Sequence, residues 1–126
     1  MTPHFKTSEL SCKCGCGRLP TAEFMAKIER LRMRCGFPMP VSSAFRCPDY
    51  NAKVSSTGYA GPHTTGQAID ITVSGKHALE LVRMALDSGF TGVGVKQHGP
   101  YEKRFIHLDT LPERHGQPRP HIWSYP

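Results

Sequence analysis

The sequence has no run of about 18 apolar residues, the length a membrane-spanning helix needs, so no transmembrane segment is expected in its 126 residues. Nor are its cysteines even in number: the five, at 12, 14, 16, 35 and 47, exclude a fully paired disulfide framework within one chain. The opening residues, MTPHFKTSELSCKCG, lack the apolar centre of a secretory signal, so an export route of the chain's own is not expected. Acids are scarce beside bases, 10 against 16, which leaves a formal charge of +6. Such a balance suits an anionic polymer, nucleic acid or cell-wall material. Nucleic-acid readers gather Lys and Arg on one helix or interleave them with stacking aromatics. Here only Arg30, Arg32 and Arg34 cluster, as on a solvated helix face, and nucleic acid is not the expected partner.

What is present suffices for one hydrophobic core, and residues 1–126 are read as a single domain. The first twenty residues read as loop. Thr21 then offers a helix cap, Glu23 sits in the first turn, and Phe24, Ile28, Leu31 and Cys35 recur at helical spacing up to Gly36. After Pro38 and Pro40, Val41 to Phe45 reads as a short strand, Tyr50 to Val54 as one helical turn, and Ser55 to Gly66 as a polar loop. Ala68 to Val73 is a strand by composition. The next helix runs from Lys76 to Ser88, with Ala78, Leu81, Val82, Ala85 and Leu86 on its apolar stripe and Gly89 as its stop. Strands are expected over Phe90–Val95 and Arg104–Asp109, with a turn between them from Gln97 to Lys103. Residues 112–126 form a tail rich in Pro and Arg that ends in the aromatic pair Trp123 and Tyr125. The mixture lacks regular β-α-β alternation, which predicts an α+β fold with a small antiparallel sheet flanked by helices.

Two clusters carry chemistry. In Cys12-Lys13-Cys14-Gly15-Cys16 a single residue separates the thiols, unlike the C-x-x-C of zinc knuckles, and the expectation is reduced cysteines packed as small apolar residues. The second cluster is His63 in a loop, Asp70 in the following strand, and His107 in a later strand with Asp109 two residues on, on the same face. Two imidazoles and a carboxylate, with a position left open, have the composition of a catalytic zinc site. Asp70 as a strand-end cap and His63 as a surface residue are the plainer alternatives.

The run Ser43-Ala44-Phe45-Arg46-Cys47-Pro48-Asp49-Tyr50-Asn51, then His63-Thr64-Thr65-Gly66-Gln67-Ala68-Ile69-Asp70, then Phe105-Ile106-His107-Leu108-Asp109, resembles the M15 peptidases. These are zinc D-Ala-D-Ala carboxypeptidases and related cell-wall endopeptidases, and the likeness, from Phe5 to Thr110, is to the short type common in phages and prophages. It implies the hedgehog-like fold of zinc D-Ala-D-Ala peptidases. It also implies one zinc ion per chain held by His63, Asp70 and His107, with Arg46, aided by Ser43, on the substrate. Zinc in such a site acidifies water and polarises the scissile carbonyl. The alternative for Arg46 is a structural pair with an acid such as Asp49.

Many relatives carry an acidic or His general base two or three residues before the last ligand, where this chain has Phe105 and Arg104. Glu102 is therefore the expected base, with Asp109 and His98 as rivals. Peptidoglycan stem peptides are the implied substrate, cut by a monomer made without a signal in a bacterial host cytoplasm and released to the wall. A non-catalytic zinc-containing wall-binding module is the second reading.

Overall fold

The computed structural model describes residues 1–126. In chain order it contains helix α1 (Thr7–Leu10), helix α2 (Ala22–Cys35), strand β1 (Val41–Ser43), helix α3 (Pro48–Val54), strand β2 (Ala68–Thr72), helix α4 (Gly75–Asp87), and strands β3 (Gly92–Lys96), β4 (Phe105–Asp109) and β5 (His121–Ser124). The strands form one sheet in the order β1-β2-β4-β3-β5. Its first four members are antiparallel neighbours, and β5 joins β3 in parallel. The architecture is the expected single-domain α+β fold. No helix is long and apolar enough to cross a membrane.

Period-two alternation divides the sheet into two chemistries. Ile69, Ile71, Val93, Ile106 and Leu108 lie on one face and join Phe24, Ile28 and Leu31 of α2 and Leu81 and Ala85 of α4 in a single buried cluster. Complete burial of side chains of this size stabilises the fold by about 1.5–3 kcal/mol each. Asp70, His107 and Asp109 alternate with those apolar residues, so the other face carries the polar groups. Because Asp70 pairs in register with His107, strand pairing alone brings two of the expected ligands side by side.

α2 starts as its sequence indicates, with the Thr21 hydroxyl accepting from the Phe24 amide at 3.2 Å. Three features differ from the sequence-based expectation. α1 forms inside the stretch read as loop, because Phe5 and Leu10 bury fully against the core and Glu9 accepts from the Lys6 amide. Leu86 is 57% exposed: Ala78, Leu81 and Ala85 of α4 are buried and Val82 packs half-buried beside them, but Leu86 lies outside that stripe. The tail does not trail away: His121–Ser124 adds a strand that covers the β3 edge.

The cysteines also depart from their expected role as packed apolar residues. Cys12 is buried, but Cys14 and Cys16 are exposed, and Cys47 at the start of α3 joins them. Burial would raise the Cys12 thiol, yet hydrogen bonds from the Cys47 and Cys14 amides and contacts with their thiols lower it to about 7, while contacts with the Cys12 and Cys16 thiols push Cys14 up to about 12.

Candidate metal centre

His63 occupies a 3-10 turn, Pro62–Thr65, flanked by Gly61 and by Gly66, the latter at a left-handed φ of 77°. Pro62 fits the first position of the turn, where no amide donor is needed. The Thr64 and Thr65 hydroxyls donate to the carbonyls of Gly61 and Pro62 at 2.7 and 2.6 Å. The turn is docked from outside by the Arg46 amide, which donates to the His63 carbonyl at 3.0 Å. His63 is thereby held over β2 with its ring buried.

Around Asp70 the donors converge. Its Oδ1 lies 3.2 Å from His63 Nε2 and 3.0 Å from His107 Nδ1. The remaining ring nitrogens decide what those atoms offer. His63 Nδ1 lies 2.7 Å from the Ala44 carbonyl, which can only accept, so Nδ1 carries the hydrogen and Nε2 presents a lone pair. His107 Nε2 lies 2.8 Å from Asp109 Oδ2, so a hydrogen there leaves Nδ1 as a second lone pair. A carboxylate and two imidazole nitrogens, all buried, thus face one point, where either a proton or a metal cation satisfies them. The three ligand atoms lie within 4.8 Å of one another. Their N and O chemistry fits a divalent ion such as zinc.

Charge shifts follow from this crowding. Burial would raise Asp70, but His63 and then His107 outweigh it and hold the carboxyl well below the usual range. Burial would lower His107, but hydrogen bonds to Asp109 and Asp70 push its value up. Asp109, wholly buried, is pulled down to about 2 by His107 and Arg119 against the effect of burial.

The other expected residues are distributed as follows. Arg46 is beside the centre, its Nη2 3.7 Å from Asp70 Oδ2. Its Nε donates to the Ser43 hydroxyl at 3.0 Å and its Nη1 to Asn51 Oδ1 at 3.1 Å, so its partners do not include Asp49. Ser43 reaches this spot through an irregularity in β1: Val41 pairs with Ile71 and Ser43 with Asp70, two steps against one. Glu102 is exposed on the turn before β4 and lines a cleft of about 580 Å³ together with Ser43, Arg46, Tyr50 and Asp70. Asp109 sits on the opposite side of the His107 ring from Asp70. His98 is exposed and its Nε2 lies 3.2 Å from the Tyr125 carbonyl, away from the ligands.

Sequence reasoning did not find Asn51, Arg119, Trp123 or Tyr125. Asn51 is fully buried, and its amide nitrogen donates to Thr57 Oγ1 and the Gly58 carbonyl while its oxygen fixes Arg46. Trp123 packs against His107 with ring centroids 5.0 Å apart, and Arg119 lies 5.0 Å over the Trp123 ring. A second hollow, about 810 Å³, runs from His63 and His107 to Trp123 and Tyr125 and shares Arg46 and Asp70 with the Glu102 cleft. Burial, and then the Asp70 charge, push the Tyr125 phenol up to about 12, so it stays a donor at neutral pH. The alternation His121-Ile122-Trp123-Ser124-Tyr125 was the available signal for this wall.

A buried His-Asp-His donor set on a sheet face, open to a groove beside a fixed arginine, is the kind of centre with which hydrolases hold one divalent ion. The sequence model of the Peptidase M15 family matches residues 3–109, and the chain belongs to that family of peptidases. Among curated proteins none matches the chain.

Proposed function

We propose that this chain is a zinc peptidase that hydrolyses the stem peptides of bacterial peptidoglycan. The observation that carries the reading is the meeting of the His63 and His107 lone pairs at Asp70 Oδ1, next to Arg46. Family membership supports the peptidase chemistry. Bound zinc supplies Lewis acidity and makes water acidic enough to lose a proton near neutral pH. His63, Asp70 and His107 hold the ion, and Asp109 orients His107 through its Nε2 hydrogen.

The rest of the chemistry belongs to side chains lining the groove. Arg46, held by Ser43 and Asn51, directs its guanidinium at a substrate carboxylate or at the carbonyl oxygen as it gains charge. The Tyr125 phenol is a second donor in the same groove. Glu102 takes the proton of the attacking water. As the peptide C–N bond breaks, Glu102 returns that proton to the leaving amine. Lys13, Lys96 and Lys103 line the cleft beside Arg46 and suit the free carboxylates of stem peptides.

The same reading extends to biology: a monomeric lysin of phage or prophage origin, made in the host cytoplasm and acting on the wall after release. The excess of basic residues suits a wall carrying carboxylates and phosphates. Digestion of purified peptidoglycan with the zinc-loaded protein, followed by mass analysis of products, tests the proposal. Release of cleaved stem peptides, lost on chelation and restored by zinc, is expected. Wall binding with no new products under zinc loading would replace the enzyme with the wall-binding module.

A further inference from the structure

The amino-terminal thiols form a cluster that the peptidase chemistry does not use. Cys12, Cys14, Cys16 and Cys47 place their sulfurs within 4.8 Å of one another, and Cys14 and Cys47 are 3.5 Å apart. A tetrahedral zinc ion with Zn–S bonds of about 2.3 Å sets its sulfurs about 3.8 Å apart, in the same range. One-residue spacing in the sequence argues against such convergence for an extended chain. Here the chain is a turn instead, with Gly15 and Gly17 at φ 87° and 78°, left-handed values that glycine adopts without strain. The turn carries the Cys14 and Cys16 sulfurs back beside Cys12.

The surroundings are those of a thiolate site. The Cys47 amide donates to the Cys12 sulfur at 3.3 Å, the kind of contact that orients a metal-binding thiolate. Cys35, the fifth cysteine, stands apart, with burial pushing its thiol up. Two exposed thiols beside one buried and one half-buried gain little as apolar packing, whereas four sulfurs at one point have the composition of a closed structural site.

We propose that Cys12, Cys14, Cys16 and Cys47 bind one structural zinc ion through four thiolates, a second metal site that pins the amino-terminal turn to the corner bearing Arg46. Cys47 directly follows Arg46 and precedes α3. The same turn grips that corner elsewhere: Lys13 Nζ donates to the Ser42 carbonyl at 2.6 Å, and the Arg18 guanidinium lies 4.6 Å over the Phe45 ring. Closing the link between Cys16 and Cys47 restrains the unfolded chain as well as the folded corner.

Reduced protein loaded with cobalt(II) tests the site, because His63, Asp70 and His107 contain no sulfur. Sulfur-to-cobalt charge-transfer bands with intense tetrahedral visible bands are expected in the wild-type chain. They should persist in the His63→Ala/His107→Ala double variant, which should retain one zinc per chain where the wild type holds two. Cys14→Ser/Cys16→Ser, at exposed positions, should lose the bands and one zinc, and Cys16→Ser alone should weaken them. Wild-type cobalt spectra without sulfur charge transfer would overturn the proposal, as would a mass showing two disulfides in the protein as purified. Loss of peptidase activity alone leaves these readouts unchanged, so the two readings fail separately.

Discussion

Arg119 forks over Asp109, its Nε donating to Oδ1 at 3.0 Å and its Nη2 to Oδ2 at 2.8 Å. The Arg119 side chain is 5% exposed and Asp109 not at all, so each charge depends on the other for solvation. The relay continues from Asp109 to His107 Nε2 and so to Nδ1 on the far side of the ring, which meets Asp70. Removing one partner of a buried pair leaves an uncompensated charge, at a cost of about 3–5 kcal/mol. Arg119→Ala is expected to lose stability on that scale in chemical denaturation. Arg119→Lys should recover only part, since an ammonium cannot fork. A stability equal to the parent's in the alanine variant would separate the tail from the centre.

Gly94 faces the tail. A Cβ there would lie 2.7 Å from Trp123 Nε1 and 2.8 Å from Tyr125 Cε2, so even alanine must displace the aromatic wall. Forced overpacking costs about 1–3 kcal/mol. Gly94→Ala is therefore expected to lower stability and to shift the emission of Trp123, the one tryptophan in the sequence, to the red. Unchanged emission and melting would show that the tail does not depend on the missing side chain.

The legible parts of this molecule were those written in local periodicity. Ile69 and Ile71 flanking Asp70, and Ile106 and Leu108 flanking His107, announced half-buried strands with the candidate ligands on the polar face, and their pairing did the rest. β5 escaped notice because it is short, flanked by proline, and leaves Ile122 64% exposed, so its pairing with β3 is a long-range contact with little apolar pattern of its own. Cys47 was equally hidden, as nothing local to it points to a turn some thirty residues earlier in the chain. Leu86 failed for the opposite reason: its spacing fits the stripe, but the core covers the Ala78, Leu81, Val82 and Ala85 side of α4 and stops short of it.

Acid should weaken the amino-terminal clamp. Glu29 accepts from the His4 amide at 2.9 Å, and its second oxygen meets the His4 ring at Nδ1. Burial would raise this carboxyl, but the His4 contacts outweigh it and pull it below its ordinary value. A depressed carboxyl contributes stability that is fully present above its unfolded value, about 4.3, and that is lost as pH falls through the lower folded value. The melting temperature should fall across that window more steeply in the wild type than in Glu29→Gln, whose curve should be flatter and lower at neutral pH. Parallel curves would remove Glu29 from the acid response.

Glu102 and Asp109 offer the proposed chemistry two carboxylates, and their surroundings assign them different work. Asp109 has its oxygens taken by Arg119, His107 and the Leu111 amide and is wholly buried, so no oxygen is free to receive a proton from water in the groove. Glu102 is exposed on the cleft that Asp70 and Arg46 also line. A positioned acid/base contributes about 10²- to 10⁴-fold to turnover. Glu102→Gln keeps the shape and removes the proton acceptor, so kcat on a stem peptide is expected to fall at least about a hundredfold with metal content and melting unchanged. Asp109→Asn should instead weaken metal affinity about 10- to 100-fold, as loss of a carboxylate behind a ligand histidine does, and excess zinc should restore part of its activity. Parent-level turnover in Glu102→Gln, beside an Asp109→Asn protein that holds its metal and is inactive, would exchange the two roles.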